Sequence, residues 1–168
     1  MNWIVRPESF AAPEATRLRR DYYAEVAGRY WRRPATEAEI DEGLADDPPD
    51  ELTSPTGEFV VGRYGGVPQS CGGVLLIAGP GSRTAELTRV YVRPAVRGTG
   101  GGRALLAALE EAARGLGATR IVLDTRLDLV EARGLYAACG YDEIPAYNEG
   151  PYREIWFGKD LKDLTNPR

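Results

Sequence analysis

Residues 84–116 constrain the fold of this chain more than any other stretch. Leu87, Val90, Tyr91 and Val92 favour a pleated, half-buried strand. Pro94 ends it, because proline has no N–H to give a ladder and holds Arg93 extended. Gly98, Gly100, Gly101 and Gly102 follow. They permit positive φ and leave no Cβ between the backbone N–H groups and a ligand. Leu105, Leu106, Leu109, Ala112, Ala113 and Leu116 then recur at helical spacing, so a helix opens directly after the loop. The first N–H groups of that helix have no partner inside it, and its macrodipole is positive there. Strand, loop and helix in this order predict a phosphate cradle.

No Gly-Lys-Ser/Thr follows the glycines, so the loop is not a P-loop. The last glycine of the dinucleotide fingerprint is also missing, since Arg103 stands after Gly102. The stretch does resemble motif A of the GCN5-related N-acetyltransferases (GNAT), Arg/Gln-x-x-Gly-x-Gly/Ala after a strand ending in Val-x-Pro. Here it reads Arg97-Gly98-Thr99-Gly100-Gly101-Gly102 after Val92-Arg93-Pro94. A second stretch, from Ala132 to Tyr141, is similar to motif B of that family, A-x-x-L-Y-x-x-x-G-Phe/Tyr. The two motifs cover roughly residues 84–141; the N-terminal part agrees in element order only.

With 168 residues, the chain fits one domain, 1–168, with enough material for a core. It is 43% hydrophobic and 27% charged, an ordinary globular balance. A net charge of −4 without a basic tail argues against nucleic acid as the main partner. No apolar run reaches the roughly 20 residues of a membrane span, and the N-terminus lacks the apolar core of a signal peptide. The expected setting is cytoplasmic, away from membranes. Cys71 and Cys139 have no metal spacing and read as buried small residues. Histidine is absent, which removes the commonest general base and leaves no evident metal site.

In chain order, a short strand over 3–6 precedes a helix over 14–30, with Leu18, Tyr22, Tyr23 and Val26 as its expected buried stripe. A second helix over 36–44 opens on a capping box, Thr36 with Glu39. The acidic, proline-rich residues 46–51 read as a solvated loop that could rim an acceptor site. Strands over 58–64 and 69–78 form a hairpin about a turn at 65–68. The small residues Cys71-Gly72-Gly73 predict a bulge or a close approach by another element. After the motif helix come a buried strand over 120–125, a helix over 130–139, and strands at 141–144 and 153–159. Residues 145–152 form a loop rich in aromatics and turn formers, and 165–168 read as a frayed end.

The resemblance implies an α/β (α+β) fold. Its mixed, mostly antiparallel central sheet contains a parallel strand pair that splays apart, flanked by helices. Acetyl-CoA, the acetyl-donor cosubstrate, would enter the splay. Its pantetheine arm would pair with backbone groups of Val90, Tyr91 and Val92. Its pyrophosphate would lie on the N–H groups of Gly98, Thr99, Gly100, Gly101, Gly102 and Arg103, with Arg97 and Arg103 as phosphate partners. No metal is implied. Direct acetyl transfer to a primary amine needs three things. The ammonium must lose a proton, a strand N–H near Val90 or Tyr91 must stabilise the oxyanion, and the CoA thiolate needs an acid.

Tyr136 matches the family's tyrosine acid; its other reading is a core aromatic. Glu86 stands where some members carry a catalytic glutamate; its other reading is a solvent-facing carboxylate. Asp124, at the end of the buried strand, is another candidate base; Asp128 and Glu131 precede or open the last helix, where the dipole alone favours acidic residues. Leu129 replaces an asparagine that many relatives place seven residues before the motif B tyrosine. The leading expectation is a small-molecule amine acceptor, which the tyrosine-rich loop around Tyr147 and Tyr152 would favour by narrowing the acceptor site; a homodimer would pair through the last strands. The alternatives are a catalytically silent acyl-CoA sensor or a protein N-acetyltransferase.

Overall fold

The computed structural model describes residues 1–46 and 52–161. Most of the acidic stretch at 46–51, and the tail at 165–168, lie outside them. Strand β1 (Trp3–Pro7) leads to helices α1 (Pro13–Trp31) and α2 (Glu37–Ala45). Strands β2 (Gly57–Tyr64), β3 (Val67–Leu76) and β4 (Thr84–Val92) come next. A single 3-10 turn, Pro94–Val96, joins β4 to α3 (Gly101–Gly115). Strand β5 (Arg120–Thr125), helix α4 (Val130–Ala138), and strands β6 (Asp142–Glu143) and β7 (Ile155–Asp160) complete the order.

Among the described residues, the strands form one seven-stranded sheet in the order β1-β2-β3-β4-β5-β7-β6. Every pairing is antiparallel except β4 with β5. This is the mixed, mostly antiparallel sheet with one parallel pair expected from the resemblance.

Alternation along each strand gives the sheet two apolar faces. Val60, Val74, Ala85, Leu87, Ile121 and Leu123 pack with Leu105, Leu106 and Leu109 of α3. Phe59, Val61, Cys71 and Tyr91 pack on the other face with Phe10 and with Leu18 of α1. The glycines of β3 admit close neighbours: a Cβ at Gly72 would stand 2.8 Å from Leu109, and one at Gly73 would stand 2.9 Å from Leu52. The segment Cys71-Gly72-Gly73 therefore shows the close approach; the register shift opposite it, between Cys71 and Gly73, comes from an extra residue on β4 and not from these small residues.

Several boundaries differ from the sequence reading. The β2–β3 turn is Gly65-Gly66 alone, because Tyr64 pairs with Val67 and Arg63 with Pro68. Both glycines have positive φ, which a two-residue hairpin of this hand requires. In α1 the buried residues are Ala15, Leu18 and Arg19, while Tyr22, Tyr23 and Val26 are half-buried. Cys139 is likewise half-buried, unlike Cys71. The capping box of α2 forms as expected: Thr36 accepts from the Glu39 N–H, and Glu39 accepts from the Thr36 N–H.

Candidate active site

The site begins where a ladder stops. Strands β4 and β5 pair only at Thr84 with Arg120, Ala85 with Ile121, and Glu86 with Val122. Beyond Glu86 the two strands part. β4 runs on to Val92 with β3 on one side. A cleft of about 520 Å³ opens at the parting, lined by Leu87 to Val92 from β4 and by Asp124 and Thr125 from β5.

One residue re-aims β4 inside this cleft. Against β3, Thr88 faces Gly73 and Tyr91 faces Cys71, so β4 spends three steps where β3 spends two. Arg89, at φ 54°, absorbs the extra step in the left-handed region. The bulge inverts the alternation. Ala85 and Leu87 face α3 before it, Val90 and Val92 face α3 after it, and Tyr91 moves to the α1 side.

The cleft ends on the glycine loop. Gly98 and Gly100 have φ of 81° and 90°, and a Cβ on either would meet nothing within 4 Å. Gly100, the N-cap of α3, has no side chain to bond the first N–H groups, and among the described residues no side-chain cap bond forms there. Loop and helix start thus keep their donors open toward an anion, which fits a phosphate group. Gly101 and Gly102 are needed for packing as well: a Cβ there would lie 2.4 Å from Trp3 and 2.8 Å from Leu135 respectively. Thr99 is absent from the cleft lining. Its hydroxyl donates to the Val96 carbonyl at 2.6 Å and accepts from Trp3 Nε1 at 3.0 Å.

Arg97 and Arg103 both line the cleft. Arg97 is held by Glu25 of α1 through both carboxylate oxygens and also donates to the Val92 carbonyl. Arg93 points elsewhere, paired with Asp21 and bonded to the Pro68 carbonyl. Helix α1 contributes Tyr22, Glu25, Val26 and Arg29 to the cleft, which its reading as a simple buried stripe missed.

Tyr136 of α4 lines the cleft and is otherwise buried, its ring against Tyr141 and Phe157. Burial, then Tyr22 and Asp124, push its phenol above the ordinary value. It therefore stays protonated at neutral pH, the form in which a phenol donates. Tyr91 is also raised, to about 12, mainly by burial.

Glu86 lies at the last paired rung, outside the cleft lining, and alternation puts it on the α1 face of the sheet. Tyr136 packs on the α3 face. The two candidate catalytic groups thus approach the parting from opposite sides. Tyr147 donates its hydroxyl to Glu86 Oε2 at 2.6 Å. Its neighbour Asn148 donates to Asp124 Oδ2 at 3.1 Å and accepts from Trp156 Nε1 at 2.7 Å. The loop's aromatics are visible in the sequence; its bonds to carboxylates 61 and 24 residues away are not.

Asp128 and Glu131 are committed to ion pairs. Arg126 grips Asp128 through two bonds, and Arg29 bonds Glu131 at 2.9 Å. Those bonds hold both carboxyls below their usual range. A carboxylate so held is a poor proton acceptor at neutral pH.

This geometry has known counterparts. The model of the acetyltransferase (GNAT) family matches residues 16–141, and the chain belongs to that family. It is 34% identical over 105 residues to a protein of Escherichia coli (strain K12) named uncharacterized N-acetyltransferase YjgM; the match covers 60% of this chain and 63% of that protein. A shorter match, 42% over 53 residues, is to the aminoglycoside N(6')-acetyltransferase type 1 of Stenotrophomonas maltophilia, covering 32% of this chain and 35% of the relative. The matches thus span less than two thirds of either relative's length. In fold, the chain is similar to the PaiA N-acetyltransferase of Thermoplasma acidophilum, solved in complex with coenzyme A. The TM-score is 0.70 at 15% identity, over 95% of this chain and 99% of that one.

Proposed function

We propose that the chain is an acetyl-CoA-dependent N-acetyltransferase acting on a primary amine of a small molecule, with its whole site in one domain. One observation carries the reading. The β4–β5 ladder stops at Glu86, and the freed length of β4 leads straight to the glycine loop at the start of α3. That is a strand edge for an extended amide chain, ending at a site for phosphate.

Bound acetyl-CoA supplies the acetyl group. The residues of this chain do the rest. Val90, Tyr91 and Val92 offer backbone partners to the pantetheine arm. Gly98 to Arg103 offer N–H groups to the pyrophosphate, and Arg97 and Arg103 offer charge. The N–H of Val90 or Tyr91, beside the bulge, is the donor for the oxyanion. Tyr136 gives its proton to the departing thiolate. Glu86, on the far face, receives the proton that the ammonium must lose.

The loop that holds Glu86 and Asp124 supports a small acceptor. Its side chains bond both carboxylates beside the parting, which narrows the acceptor side. The Stenotrophomonas relative is named for a small-molecule amine, which accords with this choice.

Release of free thiol from acetyl-CoA is the direct test, run over polyamines, amino acids, aminoglycosides, arylamines and peptide N-termini. Turnover with a small amine supports the reading. Turnover with peptides alone replaces the acceptor class, and acetyl-CoA binding without turnover makes the chain a sensor. Tyr136→Phe should lower kcat by about 10²-fold while leaving acetyl-CoA binding unchanged. An unchanged kcat in that variant removes the acid role.

A further inference from the structure

Among the described residues, the Tyr147 hydroxyl is spent as a donor but not as an acceptor. Its single proton points to Glu86 Oε2 over 2.6 Å. A phenol oxygen that donates still has lone pairs to offer an N–H group. Tyr147 and Glu86 are both half-buried rather than sealed in the core, and they lie beside the last β4–β5 rung, next to the cleft rather than in its lining. The charged groups acting on Tyr147 are Glu86 of β4, Asp124 of β5, and Arg153 beyond the loop. Burial and the bond to Glu86 drive the phenol's titration far upward, so it stays neutral. The loop cannot easily swing away, because Asn148 is tied to both Asp124 and Trp156.

We propose that Tyr147 is a further catalytic residue, a relay that carries the acceptor's proton to Glu86. The inference rests on the acetyltransferase reading above. An alkylammonium donates one N–H to Tyr147 Oη. As that proton moves from nitrogen to Oη, the phenol's own proton moves to Glu86 Oε2. One N–H bond breaks at the substrate and one O–H bond forms at the carboxylate. The phenol is neutral before and after, and the nitrogen gains its lone pair. Glu86 then returns the proton to solvent. The relay gives the ammonium a neutral oxygen to dock on, and it places the charge that the proton neutralises one bond further away. Asn148 acts as a positioning residue that fixes the loop.

The relay has a pH signature that a structural role lacks. An alkylamine with a pKa of about 10 is almost wholly protonated at pH 7. Wild-type enzyme works on that form. Tyr147→Phe keeps the ring and removes the relay, so it must wait for free amine. The experiment takes the alkylamine with the highest rate in the thiol-release panel and follows kcat/KM for it between pH 6.5 and 9.5. The expected loss in Tyr147→Phe is about 10²-fold at pH 7, shrinking toward parity as the amine deprotonates, with acetyl-CoA affinity by calorimetry unchanged. Glu86→Gln should show the same converging profile.

A loss in Tyr147→Phe that stays constant at every pH overturns the relay and leaves a packing role. Equal activity overturns it outright. Loss of acetyl-CoA binding in Tyr147→Phe, with melting unchanged, also overturns it by placing the residue at the cofactor instead. Failure of wild type to release thiol with any amine defeats the acetyltransferase reading itself, and the relay with it.

Discussion

Arg97 lies between the glycine loop and α1, and both oxygens of Glu25 hold its guanidinium, at 2.8 and 2.7 Å. The pair lines the mouth where a phosphate would arrive. A phosphate group and the Glu25 carboxylate compete for the same fork.

Glu25→Gln should therefore tighten coenzyme A binding, by about threefold to tenfold, because it removes both the competitor and a negative charge near the anion. Calorimetric titration at fixed ionic strength measures this directly. Weaker binding in the variant would mean that Glu25 aims Arg97 rather than occupies it.

The glycines of α3 and α4 should respond in opposite directions to alanine. At Gly101 the new methyl would stand 2.4 Å from the Trp3 indole, which is held by its bond to the Thr99 hydroxyl and its stacking on Tyr64. Overpacking of this kind costs about 1–3 kcal/mol, or roughly 3–9 °C in a chain of this size. At Gly134, inside α4, a methyl meets nothing within 4 Å. There alanine should add about 0.5–1 kcal/mol by restricting the unfolded chain. Thermal melts of the two single variants against wild type decide both.

Glu110 of α3 is buried, and its neighbours are Lys159 of β7 at 2.8 Å and the Tyr141 hydroxyl at 3.3 Å. Lys159 also donates to the Cys139 carbonyl. Lys159→Met should cost about 1–3 kcal/mol, because it leaves the buried Glu110 carboxylate without a counter-charge and with the Tyr141 hydroxyl as its remaining partner among these. A second change, Glu110→Leu, should recover most of that loss, since the paired apolar groups need no counter-charge. Denaturant unfolding of the single and double variants reads out the coupling.

Glu39 gives the fold an acid-sensitive point. Arg33 and the Thr36 capping box hold its carboxyl down to about 2. A folded value below the unfolded one means stabilisation that is complete above the unfolded pKa of about 4.5 and lost as pH falls toward 2. Glu39→Gln should thus melt lower than wild type at pH 7, with the gap closing between pH 4.5 and 2. A gap that persists at pH 2 would show that the effect is not titration of this carboxyl.

How much of this was legible in the sequence depends on the range of the interaction. The capping box at Thr36 was readable because its two residues lie one helical turn apart. The glycine loop was readable because strand, turn and helix follow one another directly. Non-local events were not. The bulge at Arg89 leaves no trace in composition, since arginine is not a residue that prefers positive φ, and the strand reads as continuous through it. Tyr91 therefore looks like a neighbour of Val90 and Val92 but packs on the opposite face. The bond from Tyr147 to Glu86 spans 61 residues and exists only because β7 returns beside β5. Tyr22 and Val26 look like core residues on a helical wheel. Both line the cleft, Tyr22 while also packing against Tyr91 of β4, because the parting of β4 and β5 opens beside α1.

Three rungs of pairing are all that join β1–β4 to β5–β7–β6 along the sheet. Mechanically these are two plates sharing a short hinge, with a wedge-shaped gap beyond it. A ligand laid along the gap would act as a splint, turning three rungs of shared edge into a continuous one. The amides of residues 87–92 that face the gap rather than β3 should then be the reporters of occupancy, exchanging with solvent more slowly when coenzyme A is bound, while those of β2, paired on both sides, hold their protection in either state.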